Sequence, residues 1–327
     1  MSARLSRRST LLGLAASAGS FACAHREDVV VKTGADKNLN DEQIDLDPAP
    51  LLPGGAIGVL VLDANALYNS MFGDKVRQVV EKRMPLPPSA GFEPKRDLTK
   101  AWIGFYSMQG ADMAGVALGH FDREKIEAAA ASAEPTPLGM PVVKTSYAGR
   151  TLYTAGTVGF SVLTAKTALV GNDTGMRRAL DRIAEGRVKN QLPSYMQKLL
   201  AGTTAPIVFG ADFTSSPVPD ASRAELAFVN GLKTVALVGN FQDPGLNLAG
   251  TLTYADPDAA RKGAQSLIDL RRKVESVAPF LALLGIGQPV RKLEAEPKEN
   301  DVSFVAGVDG AAVAVLLDKA QDMLLPR

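Results

Sequence analysis

Residues 101–132 read AWIGFYSMQGADMAGVALGHFDREKIEAAAAS. The opening run is aromatic and aliphatic, Gln109-Gly110-Ala111-Asp112 carries turn chemistry, and residues 114–121 are apolar again, so the stretch predicts a β-hairpin. At Asp122 the period changes. An aspartate directly after a strand accepts the orphan N–H groups of a helix start, and Glu124 lies in the first turn, where the helix dipole favours negative charge.

The unit recurs at residues 233–267: TVALVGNF, the turn Gln242-Asp243-Pro244-Gly245, LNLAGTLTYA, and Asp256-Pro257-Asp258 opening a helix, with Pro257 suited to the first helical position. Shorter forms of strand, aspartate and helix occur at GVLVLD ending in Asp63, ALVGND ending in Asp173 and VSFVAGVD ending in Asp309. Five Asp-capped junctions are consistent with a duplicated unit and equally with coincidence, because capped helices after apolar strands are common.

Outward from these units, residues 58–62 predict a short strand and Leu67, Met71, Val76, Val79 and Val80 the apolar face of a helix. Residues 142–171 predict an antiparallel meander. Met176, Leu180 and Ile183 mark one face of a helix, whose Arg177, Arg178, Asp181 and Arg182 are expected to face water. A boundary is expected between Gly186 and Pro206, after which a strand, a hairpin, a long helix, a last hairpin and a C-terminal helix repeat the plan. The fold class that results is α+β, in two related subdomains, each a mainly antiparallel sheet with helices packed on one face. Residues 54–190 form the first and residues 191–327 the second.

The amino-terminal residues carry a different message. Ser6-Arg7-Arg8-Ser9 precedes a Leu, Ala and Gly run at residues 11–22 that is too short for a permanent membrane span and reads as a cleaved leader. The paired arginines are similar to a twin-arginine signal, although Thr10 departs from it, which leaves the general secretory route open. Cys23, the single cysteine, follows Ser20-Phe21-Ala22 where lipoprotein signals place the acylated residue, so residues 1–23 are read as a signal peptide and Cys23 as a lipidation site. Ordinary cleavage after Ala22 or Ala24, releasing a soluble protein, is the alternative. Residues 24–53 are polar, acidic and proline-bearing and are expected to be a solvated tether. Asp41, Glu42, Asp45 and Asp47 within it lack the glycine and terminal glutamate of a calcium loop.

Composition excludes more than it selects. A hydrophobic content of 46%, a charged content of 22% and a net charge of +1 describe a globular chain with no global attraction for nucleic acid. Signatures for nucleotide hydrolysis, dinucleotide binding and zinc proteolysis are missing, so no cofactor and no metal is assigned. Of two histidines, His25 lies in the tether and His120 stands beside Asp122, where an acid–base pair near Ser107 or Ser146 would lack a nucleophile elbow. Trp102 is read as a core anchor rather than a ring-stacking surface, and Arg271-Arg272-Lys273 as a solvated helix face. Residues 277–286 hold Phe280, Leu281, Leu283 and Leu284 between Pro279 and Gly285, a core segment or the lip of an apolar pocket.

The stretch GRTLYTAGTVGFSVLTAKTALVGNDTGMRRALDRIAEG at residues 149–186, taken with the leader and the two strand-and-helix halves, resembles exported bacterial (lipo)protein families of unknown function. The resemblance implies location and architecture and carries over no catalytic residue. The chain is therefore expected to be a non-enzymatic binding or scaffold protein of the cell envelope, held to the membrane by its lipid and facing an envelope protein partner. The alternative is a periplasmic carrier of a lipid or other apolar ligand.

Overall fold

A computed structural model of the chain describes residues 39–107, 112–132, 134–186, 192–276 and 288–323. The sheet is built outward from β1 (Gly58–Asp63), whose sequence GVLVLD is apolar on both faces, as expected of a strand covered on both sides. The first half continues with β2 (Leu98–Phe105), β3 (Met113–Gly119), β4 (Val143–Tyr147), β5 (Arg150–Ala155), β6 (Val158–Val162) and β7 (Thr167–Gly171). The second half supplies β8 (Ile207–Asp212), β9 (Leu232–Asn240), β10 (Gly245–Tyr254), β11 (Val290–Lys298) and β12 (Asp301–Asp309). All twelve strands form one antiparallel sheet in the order β11-β12-β10-β9-β8-β1-β2-β3-β7-β6-β5-β4.

Read outward from the β1/β8 pair, the two halves have the same topology. The first runs β1-β2-β3-β7-β6 and the second β8-β9-β10-β12-β11, leaving β4 and β5 as an additional hairpin at one edge. The strands between Gly58 and Gly171 and those between Ile207 and Asp309 thus each contribute an antiparallel array to the one sheet. The halves join without a break, through a register that sets Leu60 opposite Phe209 and Val61 opposite Val208.

The helices are α1 (Asp41–Leu46), α2 (Ala64–Tyr68), α3 (Gly73–Glu81), α4 (Pro94–Asp97), α5 (Arg123–Ala131), α6 (Asp173–Ala184), α7 (Ser194–Ala201), α8 (Asp220–Glu225), α9 (Pro257–Ser276) and α10 (Gly310–Met323). On one face, α6 buries Met176, Ala179, Leu180 and Ile183 against Val59, Val61, Trp102, Val116 and Val208. On the other, α5 packs over Ala117, Tyr153, Phe160 and Ala168, and α9 over Val235, Leu252, Leu293 and Val302. The first half therefore carries helices on both faces, because its strands β1 to β3 are apolar on both. A fourth cluster joins α2 and α3 to α10 through Tyr68, Phe72, Val76 and Leu317. Close approach of α9 to the sheet needs Gly263, where a Cβ would lie 2.2 Å from the Tyr254 hydroxyl. That hydroxyl donates to the Phe228 carbonyl oxygen at 2.7 Å.

Four of the five expected caps are aspartates. Asp63 Oδ1 accepts from Ala66 N–H, Asp122 from Lys125, Asp256 from Ala259 and Asp309 from Ala311, at 2.8–3.1 Å. At the fifth junction the cap is one residue earlier. Asn172 Oδ1 accepts from Gly175 N–H at 2.9 Å, and Asp173 occupies the first turn, pairing with Arg177. Asn and Asp cap equally well, so the sequence alone did not separate adjacent candidates.

Residues 39–53 are not a solvated tether. They form a strap docked on the first half: α1 has a reciprocal Asn40/Gln43 cap, and Leu39, Ile44, Ala49, Leu51 and Leu52 are buried in the α6 core. Asp45 Oδ1 accepts from the hydroxyls of Thr164 and Thr167, each at 2.6 Å. Irregular backbone laid on a core needs donors for its carbonyls, and three arginines supply them. Arg150 donates to Leu39 O at 3.2 Å, Arg178 to Gly54 O at 3.2 Å, and the buried Arg182 to Pro50 O at 3.0 Å. For Arg178 and Arg182 this corrects the reading of the α6 charges as a wet face, whereas Arg177 pairs at the surface with Asp173. Only the residues before 39 remain available as a tether, and they lie outside the described residues.

Candidate functional site

Strand register decides which side chains share a face, because alternate residues point to opposite sides. Val59 and Val61 of β1 face the α6 core with Trp102 and Val208. Leu60 and Leu62 therefore face the other way, with Ile103 and Phe105 of β2 and Ile207 and Phe209 of β8 set opposite them or opposite Gly58. Ile207 pairs with Gly239, and Gly239 with Leu248 of β10, so the same face continues over β9. A Cβ at Gly239 would meet Leu248 Cδ2 at 2.6 Å and Ile207 Cδ1 at 3.4 Å, which places the two side chains together.

These residues form an apolar strip across the middle of the sheet, between the α5 core and the α9 core. Phe209 and Leu237 pack on the α9 core at its margin. Leu60, Leu62, Ile103, Phe105, Ile207 and Leu248 are half-buried and belong to none of the four core clusters formed by the described residues. From β10 to β2 the strip crosses four strand spacings, about 19 Å at about 4.8 Å each. It offers no hydrogen bond, since its side chains carry no polar atom and its backbone is engaged in the sheet. It can hold only an apolar group.

The residues singled out from the sequence fall elsewhere. His120 and Asp122 line a cleft of about 340 Å³ with Arg96, Asp97 and Lys125. Asp122 caps α5 and pairs with Lys125 Nζ at 2.9 Å; bonds from Lys125 hold its exposed carboxyl below the usual range. Ser107 lies beyond the far end of β2, about nine residues or roughly 30 Å from Leu98, and Ser146 lies on edge strand β4, five strands from β2. The structure does not bring the four together. Trp102 is buried in the core, where its Nε1 has no hydrogen-bond partner among the described residues, and no ring face is offered to a ligand. Arg271 pairs with Glu275 and donates to Leu293 O, and Arg272 pairs with Asp269, so the basic run is largely neutralised on its own helix.

Cys23 and the lip residues Phe280, Leu281, Leu283 and Leu284 lie outside the described residues. Among the described residues no three His, Cys, Asp or Glu side chains are grouped to hold a metal ion, and no helix is long and apolar enough to cross a membrane. The strip itself was missed in the sequence, although its signal was present. GVLVLD alternates Val and Leu with no polar residue until its end, a pattern that requires something apolar on both faces.

No protein-family profile matches the sequence, and no curated protein is similar to it. The chain is similar in structure to TP0453. Crystal form I of that protein superposes with a TM-score of 0.52 at 10% identity, over 84% of this chain and 98% of that one. Crystal form III gives 0.52 at 11% identity over the same shares. A match of that extent includes residues from both halves, and at this identity it establishes the shared α+β fold alone.

Proposed function

We propose that the chain is an exported envelope protein, anchored through Cys23, that carries a lipid or other long apolar ligand on the strip around Leu60, Leu62, Ile103, Phe105, Ile207 and Leu248. The observation that carries this reading is the strand β1. It is apolar on both faces, and on one of them the described helices and cores leave its leucines half-covered.

Magnitudes define the ligand class. Fully burying a large aliphatic side chain stabilises by about 1.5–3 kcal/mol, and these six are already mostly buried, so completing their burial contributes on the order of 3 kcal/mol in all. Micromolar binding needs about 8 kcal/mol before the cost of immobilisation is met. The remainder has to come from the ligand's own surface, at about 0.8 kcal/mol per buried methylene. A chain of roughly a dozen or more buried methylenes meets that requirement and a small metabolite does not. A protein partner laying an apolar segment on the strip is the scaffold alternative.

Lipid extraction of natively purified protein followed by mass spectrometry tests the reading. A near-stoichiometric long-chain molecule is expected from the wild type, with several-fold loss in Ile103→Asn, which stays folded at a lowered melting temperature. An empty wild type that co-purifies with a protein, and releases it in Ile103→Asn, would favour the scaffold instead. The anchor is checked separately: Cys23→Ser is expected to move the protein from the membrane to the soluble fraction, and a wild type already soluble would remove the lipid from the proposal.

A further inference from the structure

The two edges of the sheet are built differently. β11 presents Arg291, Lys292, Glu294, Glu296 and Lys298 and includes Pro297, the charges and proline that keep an edge from pairing with another chain. β4 is Val143-Lys144-Thr145-Ser146-Tyr147, with one charge and no proline, and Val143 is 57% exposed.

Which backbone groups β4 leaves free follows from its hairpin. Ala148 and Gly149, with φ of 50° and 75°, form a two-residue turn of the type that closes on a doubly hydrogen-bonded pair, here Tyr147 and Arg150. Alternate pairs repeat that bonding, so Thr145 bonds Leu152 and Val143 bonds Thr154. The N–H and C=O groups of Lys144 and Ser146 consequently point away from β5. The next hairpin agrees: Ala155 and Val158 close its two-residue turn, which directs Tyr153 and Ala155 to β6 and leaves the even residues of β5 to β4.

We propose that β4 is a dimerisation edge, occupied by β4 of a second copy of this chain, antiparallel about a two-fold axis at Thr145. In that register Lys144 of one copy bonds Ser146 of the other twice over, giving four main-chain hydrogen bonds. Neither lysine stands directly opposite its counterpart. Val143 lies opposite Tyr147 of the second copy, on the face where Tyr147 is already fixed. Its hydroxyl donates to Asp181 Oδ2 at 3.1 Å, and the Arg177 guanidinium lies 4.5 Å from its ring centroid. The exposed valine thus meets a preordered aromatic, a favourable cross-strand pair. β11 cannot serve this role, because self-pairing there would bury its charges and meet Pro297. The contact is small, so the dimer is concentration-dependent.

In this register Thr145 faces Thr145 of the second copy as a non-hydrogen-bonded pair, at a Cα separation that suits a disulfide. Thr145→Cys in a Cys23→Ser chain, where the new thiol is the only one, is expected to form a covalent dimer under mild oxidation at least tenfold faster than Val305→Cys, a more exposed control. Ser146→Pro removes one outward N–H and no bond to β5. It is expected to abolish self-association in sedimentation equilibrium while leaving the melting temperature unchanged. A wild type that stays monomeric at high concentration, a dimer indifferent to Ser146→Pro, or crosslinking no faster than the control would each overturn the proposal.

Discussion

Replacing Asp45 by alanine isolates what the strap contributes. Asp45 is half-buried on α1, and its Oδ1 is the acceptor for two hydroxyls, Thr164 and Thr167, that are 3% and 0% exposed. Thr164 Oγ1 already accepts from the N–H groups of Lys166 and Thr167, so its proton has Asp45 as its destination. The alanine variant leaves both hydroxyl protons without an acceptor in a buried site, at about 1–3 kcal/mol each. Water admitted at the strap margin relieves part of that, and the expected loss is about 2–4 kcal/mol. Asp45→Asn keeps an Oδ1 acceptor and loses only charge assistance, so about 1 kcal/mol is expected there. Urea denaturation reads both, as a lowered midpoint at unchanged slope. If the strap opens on its own before the sheet, the loss appears instead as faster hydrogen exchange confined to residues 41–53. An alanine variant with unchanged midpoint and unchanged exchange would refute the argument that these bonds fix the strap.

Two further outcomes follow from the same geometry. Asn172→Ala is expected to lower stability by about 0.5–2 kcal/mol and Asp173→Ala by less, because only Asn172 accepts a first-turn N–H; equal losses would contradict the assignment of the cap. Asp97 bears on pH. Burial pushes its carboxyl up, but hydrogen bonds from the Arg96 guanidinium and the Glu93 N–H outweigh it and hold the group below its ordinary value of 3.8. A carboxyl depressed in the folded state contributes stability above its unfolded pKa and loses it as pH falls through the folded one. Stability is therefore expected to fall below about pH 4, and Arg96→Met to flatten that limb; identical acid limbs in the two proteins would exclude the pair as its source.

The elements most legible in the sequence were those whose physics is local. Hairpins announced themselves by apolar runs around turn residues, and Asp63, Asp122, Asp256 and Asp309 by their place between a strand and a helical period. What the sequence concealed depends on partners distant in the chain. The strap contains Ile44, Leu51 and Leu52, few apolar residues among many acidic ones, and its docking rests on Thr164, Thr167, Arg150, Arg178 and Arg182, more than a hundred positions away. Composition over a window does not register a carbonyl that a remote arginine will satisfy. The strip was hidden for a related reason. Leu60 belongs to a strand apolar on both faces, but Ile103 and Ile207 are unremarkable in theirs, and only the joining of β1 to β2 and β8 makes the three neighbours.

The shared topology of the halves also says why the middle of the sheet differs from its flanks. Each half places a helix, α5 or α9, over the strands that follow its own hairpin, near Ala117 and Ala168 in one and Leu252 and Val302 in the other. Neither helix is positioned by its connections to lie over the β1/β8 seam, because the seam is made by the first strand of each half. Two units that each cover their own sheet therefore generate, when they join edge to edge, an apolar surface that the described helices leave partly uncovered. The seam has to be apolar to be buried on its other face by α6 and α7, and strand alternation lets the sequence choose the second face independently. It chose Leu60, Leu62, Ile103, Phe105 and Ile207, where serine or threonine would have made a wet face. That choice is why the proposed ligand is placed on the seam and not in any of the polar clefts.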